Sequence, residues 1–323
     1  MKKTFRLAAL LSLCAILLCG CMTSPADSLK RQSAEGQSLI SASTAELAPE
    51  EQEMTLYFRY GDTAFLAPER RLILVERNES LEKAVVEALI MGPAATASSL
   101  SPLFPAGTEV LAVASQGDTL FITFNEAFLG RYADEPADGM GEWRAEGPLR
   151  RQLCLDSLAA TLTEEGLCAK VQVLVYRSSG ASTSMRLQAG FLNRSGDQTL
   201  LAPLTRNEKC LLTAYNTASL LLASWLHQDW ESLYDLTARE GTAARPGEQS
   251  AYDAFAAGKV LSAFSLSPGA ASYDGQSAVF AVDLTFLGQG GDVALAGYPL
   301  LLTRERGLWK MDYGRLTAMM NAQ

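Results

Sequence analysis

The stretch SLEKAVVEALIMGP at residues 80–93 decides the fold of the first globular region of this chain. Its apolar residues recur at the spacing of one helix face, and Ser80 stands where a helix needs an N-cap. Gly92 and Pro93 then stop the pattern. The stretch therefore predicts a helix over residues 80–91, whose apolar face consists of Leu81, Val85, Ala88 and Leu89.

Strand patterns lie on both sides of this helix. Alternating apolar runs between turn signals predict strands, and a second helix is predicted to begin after Pro148 and end at Gly166. Together these elements give the order ββαββαβ. This order predicts an α+β domain with a mixed sheet and both helices packed on one face. The predicted strands are residues 54–59, 71–75, 110–114, 119–124 and 170–176.

Three motifs in this order resemble the GerMN family: EALIMGP at 87–93, FPAGTEV at 104–110 and DTLFITFN at 118–125. The resemblance covers residues 54–195. It implies a protein-interaction domain similar to the ring-building folds of envelope assemblies, found in lipoproteins concerned with sporulation and spore germination. It transfers no catalytic residue to this chain. An acidic insertion at residues 130–147 departs from the family pattern.

A second α+β unit is predicted at residues 207–323. Residues 210–226 are uncharged and apolar at helical spacing, which indicates a buried helix, and they are too short and too rich in Thr, Ser and Asn to favour a membrane span. The strand patterns that follow predict a curved antiparallel sheet. This unit resembles the cystatin-like fold of nuclear-transport-factor-like domains. Its predicted strands are residues 260–266, 278–287, 298–303 and 308–313.

The N-terminus has the features of an export signal. Three basic residues precede an apolar stretch shorter than a membrane span, and LCGC at residues 18–21 resembles the lipobox of bacterial lipoproteins. Residues 1–20 are therefore predicted to be a lipoprotein signal peptide. Acyl chains such as palmitate on Cys21 would hold the mature protein at the extracytoplasmic face of the cell membrane. The alternative is a secreted protein whose Cys21 is free.

Residues 21–53 are predicted to be a flexible tether that starts at the lipidated cysteine. They are rich in Ser, Ala, Glu and Gln and contain few large apolar residues. About 30 residues of flexible coil reach roughly 30 Å, which would let the folded part work away from the bilayer surface. The predicted globular domains are residues 54–195 and 207–323.

Composition excludes several classes of function. The chain has 323 residues and a net charge of −9, which argues against nucleic-acid binding. Its one histidine, His227, excludes a multi-histidine metal site. Three cysteines remain after the anchor, Cys154, Cys168 and Cys210, and they are predicted to be buried thiols rather than disulfide partners. No cofactor and no metal ion is predicted.

Two motifs contain the residue types of catalytic groups. Ser80 and Lys83 have the Ser-x-x-Lys spacing of penicillin-recognising enzymes, but the other motifs of those enzymes are missing and helix capping accounts for Ser80. His227 and Asp229 are two residues apart, a spacing at which helical side chains do not face each other. Both motifs are interpreted as helix ends, and the chain is predicted not to be an enzyme.

Two larger groups of residues leave open whether the protein binds a ligand. The acidic insertion is interpreted as a solvated loop, with a protein contact or a Ca²⁺ site as alternatives. The aromatic residues of the second unit are interpreted as core, with a small-molecule pocket as the alternative. The acidic residues are Asp134, Glu135, Asp138, Glu142 and Glu146, and the aromatic residues are Trp225, Trp230, Tyr234, Phe255, Phe264, Phe280, Phe286 and Trp309.

The sequence thus favours a non-catalytic, lipid-anchored envelope protein that binds envelope or sporulation proteins through exposed sheet edges or a helix-free sheet face. Further copies of the chain, repeated in a ring, are another candidate partner. The competing hypothesis is a peptidoglycan-acting enzyme or a small-ligand carrier that uses a cavity in the second unit. A third is an accessory protein of a sensor kinase, like some actinobacterial GerMN-containing lipoproteins.

Overall fold

The computed structural model describes most of the chain beyond the predicted tether. The described residues are 50–137, 140–177, 183–241, 244–288 and 291–322. The predicted signal peptide, Cys21 and the tether up to residue 49 lie outside these ranges. Strand β1, Glu50–Tyr60, begins inside the segment that was predicted to be tether.

The helix predicted at residues 80–91 is confirmed as α1, Leu81–Met91. Ser80 Oγ accepts a hydrogen bond of 3.3 Å from the backbone N–H of Lys83, which satisfies one of the free amides of the first turn. Gly92 follows the last turn with φ of +87°, a conformation that favours glycine. Both helix ends therefore arise from the residues that predicted them.

The second helix, α2, spans Trp143–Glu164 and begins ahead of Pro148, where the prediction started it after this residue. Proline has no N–H to donate, so the helix loses one backbone hydrogen bond there, and the ring crowds the carbonyl one turn earlier. Stacking of Trp143 on Tyr132, with ring centroids 6.1 Å apart, adds packing at the helix start. The predicted end is confirmed, since Gly166 adopts a positive φ just beyond the last turn.

The strands of the first part of the chain lie in two sheets. One has the order β2-β1-β3, and the other is a mixed sheet of order β4-β5-β6-β7 in which only β5 and β6 are parallel. The α+β class and the mixed sheet are confirmed, but the first two strands do not belong to that sheet as predicted, since they form a separate sheet with the short β3. The further elements are β2 Leu66–Val75, β3 Leu100–Ser101, β4 Val110–Gln116, β5 Thr119–Phe124, β6 Lys170–Tyr176, β7 Ser184–Arg186 and α3 Gly190–Asn193.

Helices come first in the second part of the chain, and a curled antiparallel sheet of order β12-β11-β10-β8 follows, with β9 beside β10. The predicted α+β class of this unit and its curved antiparallel sheet are confirmed. Its C-terminal strand is shorter than predicted because a closing helix begins at Tyr313. The elements are α4 Ala214–His227, α5 Trp230–Asp235, α6 Glu248–Ala256, β8 Leu261–Leu266, β9 Ala270–Ala271, β10 Ser277–Phe286, β11 Val293–Glu305, β12 Leu308–Met311 and α7 Tyr313–Met320.

The apolar helix pattern of the second unit is confirmed as the buried helix α4. Trp225 and Leu222 of this helix are almost fully buried against the sheet residues Val282 and Phe286. No helix within the described ranges is long and apolar enough to cross a membrane.

Residues 51–323 form one compact unit that holds two hydrophobic cores. Strand β1 contributes to both cores, because Leu56 and Phe58 pack in the first and Tyr60 packs in the second. The backbone continues this junction, since Leu212 N–H donates to Leu66 O at 2.7 Å. The two parts of the chain are therefore joined through β1 and the start of β2.

Candidate functional site

Strand β4 presents an unpaired edge. It ends the four-stranded sheet, and within the described part of the chain it pairs with β5 alone. Its sequence VLAVASQ carries no charged residue, although natural edge strands are commonly protected by charge. Most of its side chains are exposed, among them Leu111 and Ala114. An uncharged free edge of this kind can accept another strand through its backbone groups.

Strand β1, by contrast, is the middle strand of its sheet. The short β3 pairs only with Arg59 and Tyr60 of β1, and where β3 does not reach, helix α2 covers the backbone of Tyr57. Ser157 Oγ donates to the carbonyl oxygen of Tyr57 at 2.6 Å, and Thr161 Oγ1 accepts from the Tyr57 N–H at 3.0 Å. Both hydroxyl residues are fully buried. Two helix side chains therefore take the place that a neighbouring strand would occupy, and β1 is not available to a partner at this position.

The mixed sheet has one face that is turned away from the helices, which we call the helix-free face. Leu120, Ile122 and Phe124 of β5 point into the first core, so Phe121 points to the opposite face. Phe121 is half-buried, as are Leu174 and Tyr176 on the same face of β6, whose three Val side chains point into the core. The helix-free face thus places apolar and aromatic surface beside the free β4 edge.

The acidic insertion is tied to the domain by arginines, so the solvated-loop interpretation is wrong for Glu135 and Glu146. Glu135 pairs with Arg151, and both side chains are 3% exposed. It also accepts from Arg194 Nε at 3.0 Å. Glu146 at the start of α2 pairs with the buried Arg59 of β1.

The remaining acidic residues of the insertion differ from these two. Asp134 is mostly exposed and pairs with Arg150 at 2.9 Å, and Glu142 is exposed just before α2. Asp138 lies outside the described residues. The part of the chain that is described contains no group of three or more His, Cys, Asp or Glu side chains that could hold a metal ion.

The pKa of Glu135 reflects this pairing. Desolvation by burial acts to raise the pKa of this carboxyl, but hydrogen bonds from Arg194 and Arg151 outweigh that effect and lower it below its ordinary value. The ionised carboxylate is therefore the form that the folded protein selects.

The residues that resembled catalytic groups are at helix ends. Ser80 caps α1, and Lys83 Nζ pairs with Glu79 at 2.7 Å. His227 is the exposed last residue of α4, and the Asp229 carboxylate caps α5 by accepting from a backbone N–H. The contacts of Ser80, Lys83 and Asp229 are structural, and His227 is an exposed helix-end residue.

Cys154, Cys168 and Cys210 are free thiols, as predicted. Cys154 and Cys210 are buried and Cys168 is partly buried. Desolvation raises the pKa of the Cys154 thiol. A thiol of this kind is inert packing material rather than a nucleophile.

The aromatic residues of the second unit fill its core instead of lining a pocket. Trp225, Phe255, Phe280 and Phe286 are each at most 3% exposed and belong to one apolar cluster. Among the predicted aromatic set, Tyr234 is the residue that borders a cavity. That cavity lies between the two parts of the chain.

This cavity has a volume of about 720 Å³, and we call it the Lys310 groove. Its walls come from β2, the segment before β3, α5, the start of α6 and the turn between β11 and β12. Cations, carboxylates and hydroxyls all border it. The lining residues are Pro68, Glu69, Arg70, Thr96, Ala97, Ser98, Ser99, Leu100, Tyr234, Asp235, Thr237, Arg239, Arg245, Glu248, Glu305, Arg306, Leu308 and Lys310.

Lys310 is the buried cation of the groove, with 9% of its surface exposed. Its Nζ donates to the Tyr60 hydroxyl at 3.3 Å and to the carbonyl oxygen of Asp235. Burial lowers the pKa of Lys310 to about 8, because desolvation penalises the ammonium. The only sequence signal for this residue is a lysine inside the apolar strand LWKM.

Arg245 forms part of the groove wall. Its guanidinium carbon lies 3.5 Å from the ring centroid of Tyr234, and its Nη2 donates to the Tyr234 carbonyl at 2.9 Å. Among the described residues, Arg245 Nε is buried and has no hydrogen-bond partner. Sequence reasoning missed this residue, since it lies in the loop between α5 and α6 and its contacts with Tyr234 follow no periodic pattern.

Comparison with known proteins finds a family that matches the first part of the chain. Residues 55–176 match the Germane family, which is described as sporulation and spore germination. No curated protein matches the sequence.

The solved structures that match this chain include GerMN domains. The tandem GerMN domains of the Bacillus subtilis sporulation protein GerM are 17% identical with a TM-score of 0.32, and the match covers 51% of this chain and 48% of that one. The first GerMN domain of the same protein is 15% identical with a TM-score of 0.31, over 49% of this chain and 98% of that one. A Clostridium perfringens protein described as a "putative lipoprotein" is 20% identical with a TM-score of 0.27, over 50% of this chain and 89% of that one.

Proposed function

We propose that this chain acts in sporulation or spore germination as a non-catalytic protein-interaction module at the outer face of the cell membrane, because residues 55–176 match the Germane family. The description of the matching family supports the process. The LCGC sequence at residues 18–21 supports a lipid anchor on Cys21. The helix-end roles of Ser80, Lys83, His227 and Asp229 support a role without catalysis.

The observation that carries the interaction proposal is the free edge of β4. This strand is seven residues long, uncharged and exposed, and the helix-free face beside it supplies apolar surface. An incoming strand would gain backbone hydrogen bonds from the edge and side-chain contacts from the face. Strand β1, whose backbone at Tyr57 is covered by Ser157 and Thr161, cannot serve in the same way.

Crosslinking from the edge in living cells tests this proposal. A photo-crosslinking amino acid at Ala114 of β4 is compared with the same amino acid at Ala256, an exposed alanine at the end of α6. We expect a defined envelope or sporulation protein, or a second copy of this chain, to be captured from position 114 during spore formation and not from position 256. Equal capture from both positions, or capture from neither, contradicts the proposal.

A matched pair of substitutions tests whether the free edge of β4 is needed for sporulation or germination. Ala114→Lys places a charge on the free edge without touching a core residue, and Ala256→Lys adds the same charge elsewhere. We expect the yield of heat-resistant or germination-competent spores to fall for the first variant and to stay at the wild-type level for the second. Normal yields from Ala114→Lys, in a strain where deletion of the whole gene lowers them, would exclude β4 as the working surface.

A further inference from the structure

The ammonium of Lys310 is buried without a carboxylate in direct contact, although the charges of Asp235 and Glu305 favour its charged form through space. Within the described ranges it forms no salt bridge, and its two hydrogen bonds go to neutral oxygens, the Tyr60 hydroxyl and the Asp235 carbonyl. A lysine ammonium has three donors, so one remains for another acceptor. Buried cations in proteins are normally paired, because an isolated charge in a low-dielectric site is costly.

Two carboxylates that border the groove are engaged elsewhere. Glu305 Oε2 accepts from the backbone N–H of Arg239 at 2.8 Å. Glu69 accepts from Arg71 and from the Ala94 N–H. Neither carboxylate contacts the ammonium of Lys310 directly, and Glu305 acts on it only through space.

Further cationic groups face the same cavity. Arg239 and Arg306 are exposed on its wall, and Arg245 carries a buried Nε that lacks an acceptor among the residues described. Ser98 and Ser99 add hydroxyls that can donate hydrogen bonds to an oxyanion. A volume of about 720 Å³ lies in the range of small-molecule sites.

From this arrangement we propose that the Lys310 groove binds a small organic anion, and that a carboxylate or phosphate oxygen of this ligand accepts the third hydrogen bond of Lys310. Arg245 and Arg239 bond the same charged group or its neighbour. Asp235 and Glu248 are exposed at the border of the groove and disfavour extended polyanions there. The site is distinct from the β4 edge and from the aromatic core of the second unit.

Titration of the protein with anions, followed through the NMR signal of the Lys310 side chain, tests the proposal directly. The full chain has eight lysines, so ¹³C labelling of lysine gives few side-chain signals, and the signal lost in Lys310→Met is that of Lys310. Sodium phosphate and sodium acetate are added in separate series, with sodium chloride of equal ionic strength as the reference. We expect a saturable shift of the Lys310 signal with an apparent Kd of about 1 mM or tighter for at least one of the two anions. The preferred anion identifies the charged group of the ligand.

Two arginine variants keep the test independent of Lys310 itself. Arg239→Gln removes a charge from the groove wall, and Arg77→Gln removes one from an exposed site on the segment after β2. We expect Arg239→Gln to weaken anion binding about tenfold, the usual effect of one charge-assisted hydrogen bond, and Arg77→Gln to leave it unchanged. If the Lys310 signal shifts with phosphate or acetate only as much as with sodium chloride of equal ionic strength, the proposal is overturned. Equal weakening of anion binding by Arg239→Gln and Arg77→Gln also overturns it.

Discussion

The hydroxyl of Ser157 in helix α2 donates a 2.6 Å hydrogen bond to the carbonyl oxygen of Tyr57 in strand β1. One helical turn away, Thr161 accepts from the N–H of the same tyrosine at 3.0 Å. Because both backbone groups of Tyr57 are satisfied by side chains, this part of β1 is sealed without a neighbouring strand. This seal distinguishes β1 from β4, whose edge remains open.

Substitution of Thr161 by Val removes the acceptor of this seal at nearly constant volume. The Tyr57 N–H would then be buried without a partner, and we expect the free energy of unfolding to fall by about 1–3 kcal/mol. Thr163→Val is the control, because Thr163 is only partly buried and its hydroxyl donates to the backbone of its own helix. Urea unfolding followed by circular dichroism measures both variants, and equal losses would contradict the special role of Thr161.

Substitution of Glu135 by Gln leaves Arg151 buried without its carboxylate. Arg151 and Glu135 are each 3% exposed, so we expect a loss of about 3 kcal/mol in the free energy of unfolding. Asp134→Asn breaks the exposed pair with Arg150 and is expected to cost less than about 1 kcal/mol. The two variants carry the same change of charge, so a similar cost for both would show that the insertion is held by net charge and not by the buried pair.

The same residue predicts a pH dependence. The pKa of Glu135 is lower in the folded protein than in the unfolded chain, so its contribution to stability is complete above the unfolded pKa of about 4.3 and is lost as the pH falls through the folded value. We expect the difference in unfolding free energy between wild type and Glu135→Gln to shrink as the pH is lowered below about 4. A difference that stays constant in this range would contradict the pairing.

Local signals in the sequence predicted the elements whose ends are set by neighbouring residues. Ser80 and Gly92 mark the ends of α1, and β4 and β5 match two predicted strands, with Gly117 at positive φ in the turn between them. The start of α2 was misplaced because Pro148 is a strong local signal, and the stacking of Trp143 on Tyr132 is a tertiary contact that the pattern does not contain.

The surfaces and the groove could not be predicted in the same way. Whether β4 is an edge depends on where β6 and β7 pair, which is set by the whole sheet. Lys310 meets Tyr60 across 250 positions of sequence, and Glu135 meets Arg194 across 59. Contacts between residues this far apart in sequence arise from the packing of the two cores and produce no periodic pattern in the sequence.

Replacement of Cys21 by Ser tests the predicted lipid anchor. We expect the variant to lose incorporation of labelled palmitate and to move from the membrane fraction to the soluble fraction, because the acyl chains supply the membrane affinity. Cys19→Ser is the matched control, since it lies in the same LCGC sequence and is removed if cleavage occurs before Cys21. Loss of label from Cys19→Ser with retention in Cys21→Ser would assign the anchor to the other cysteine.

Replacement of Lys310 by Met tests the cost of the buried ammonium. The pKa of this lysine is about 8 in the folded protein, against an ordinary value of 10.5. Below pH 8 the lysine is charged in the folded and unfolded states, so the desolvation cost is present in full. Between pH 8 and 10.5 the unfolded chain binds more protons than the folded protein, and wild-type stability therefore rises with pH relative to the variant.

The size of this change follows from the shift in pKa. We expect wild type to gain about 3 kcal/mol of unfolding free energy relative to Lys310→Met across this pH window. Lys170→Met, which removes an exposed lysine paired with Asp118, controls for the titration of other groups. Since the methionine variant carries no ionisable group at position 310, parallel stability curves for wild type and Lys310→Met up to pH 10.5 would show that the ammonium is solvated, and the groove would then lack its buried cation.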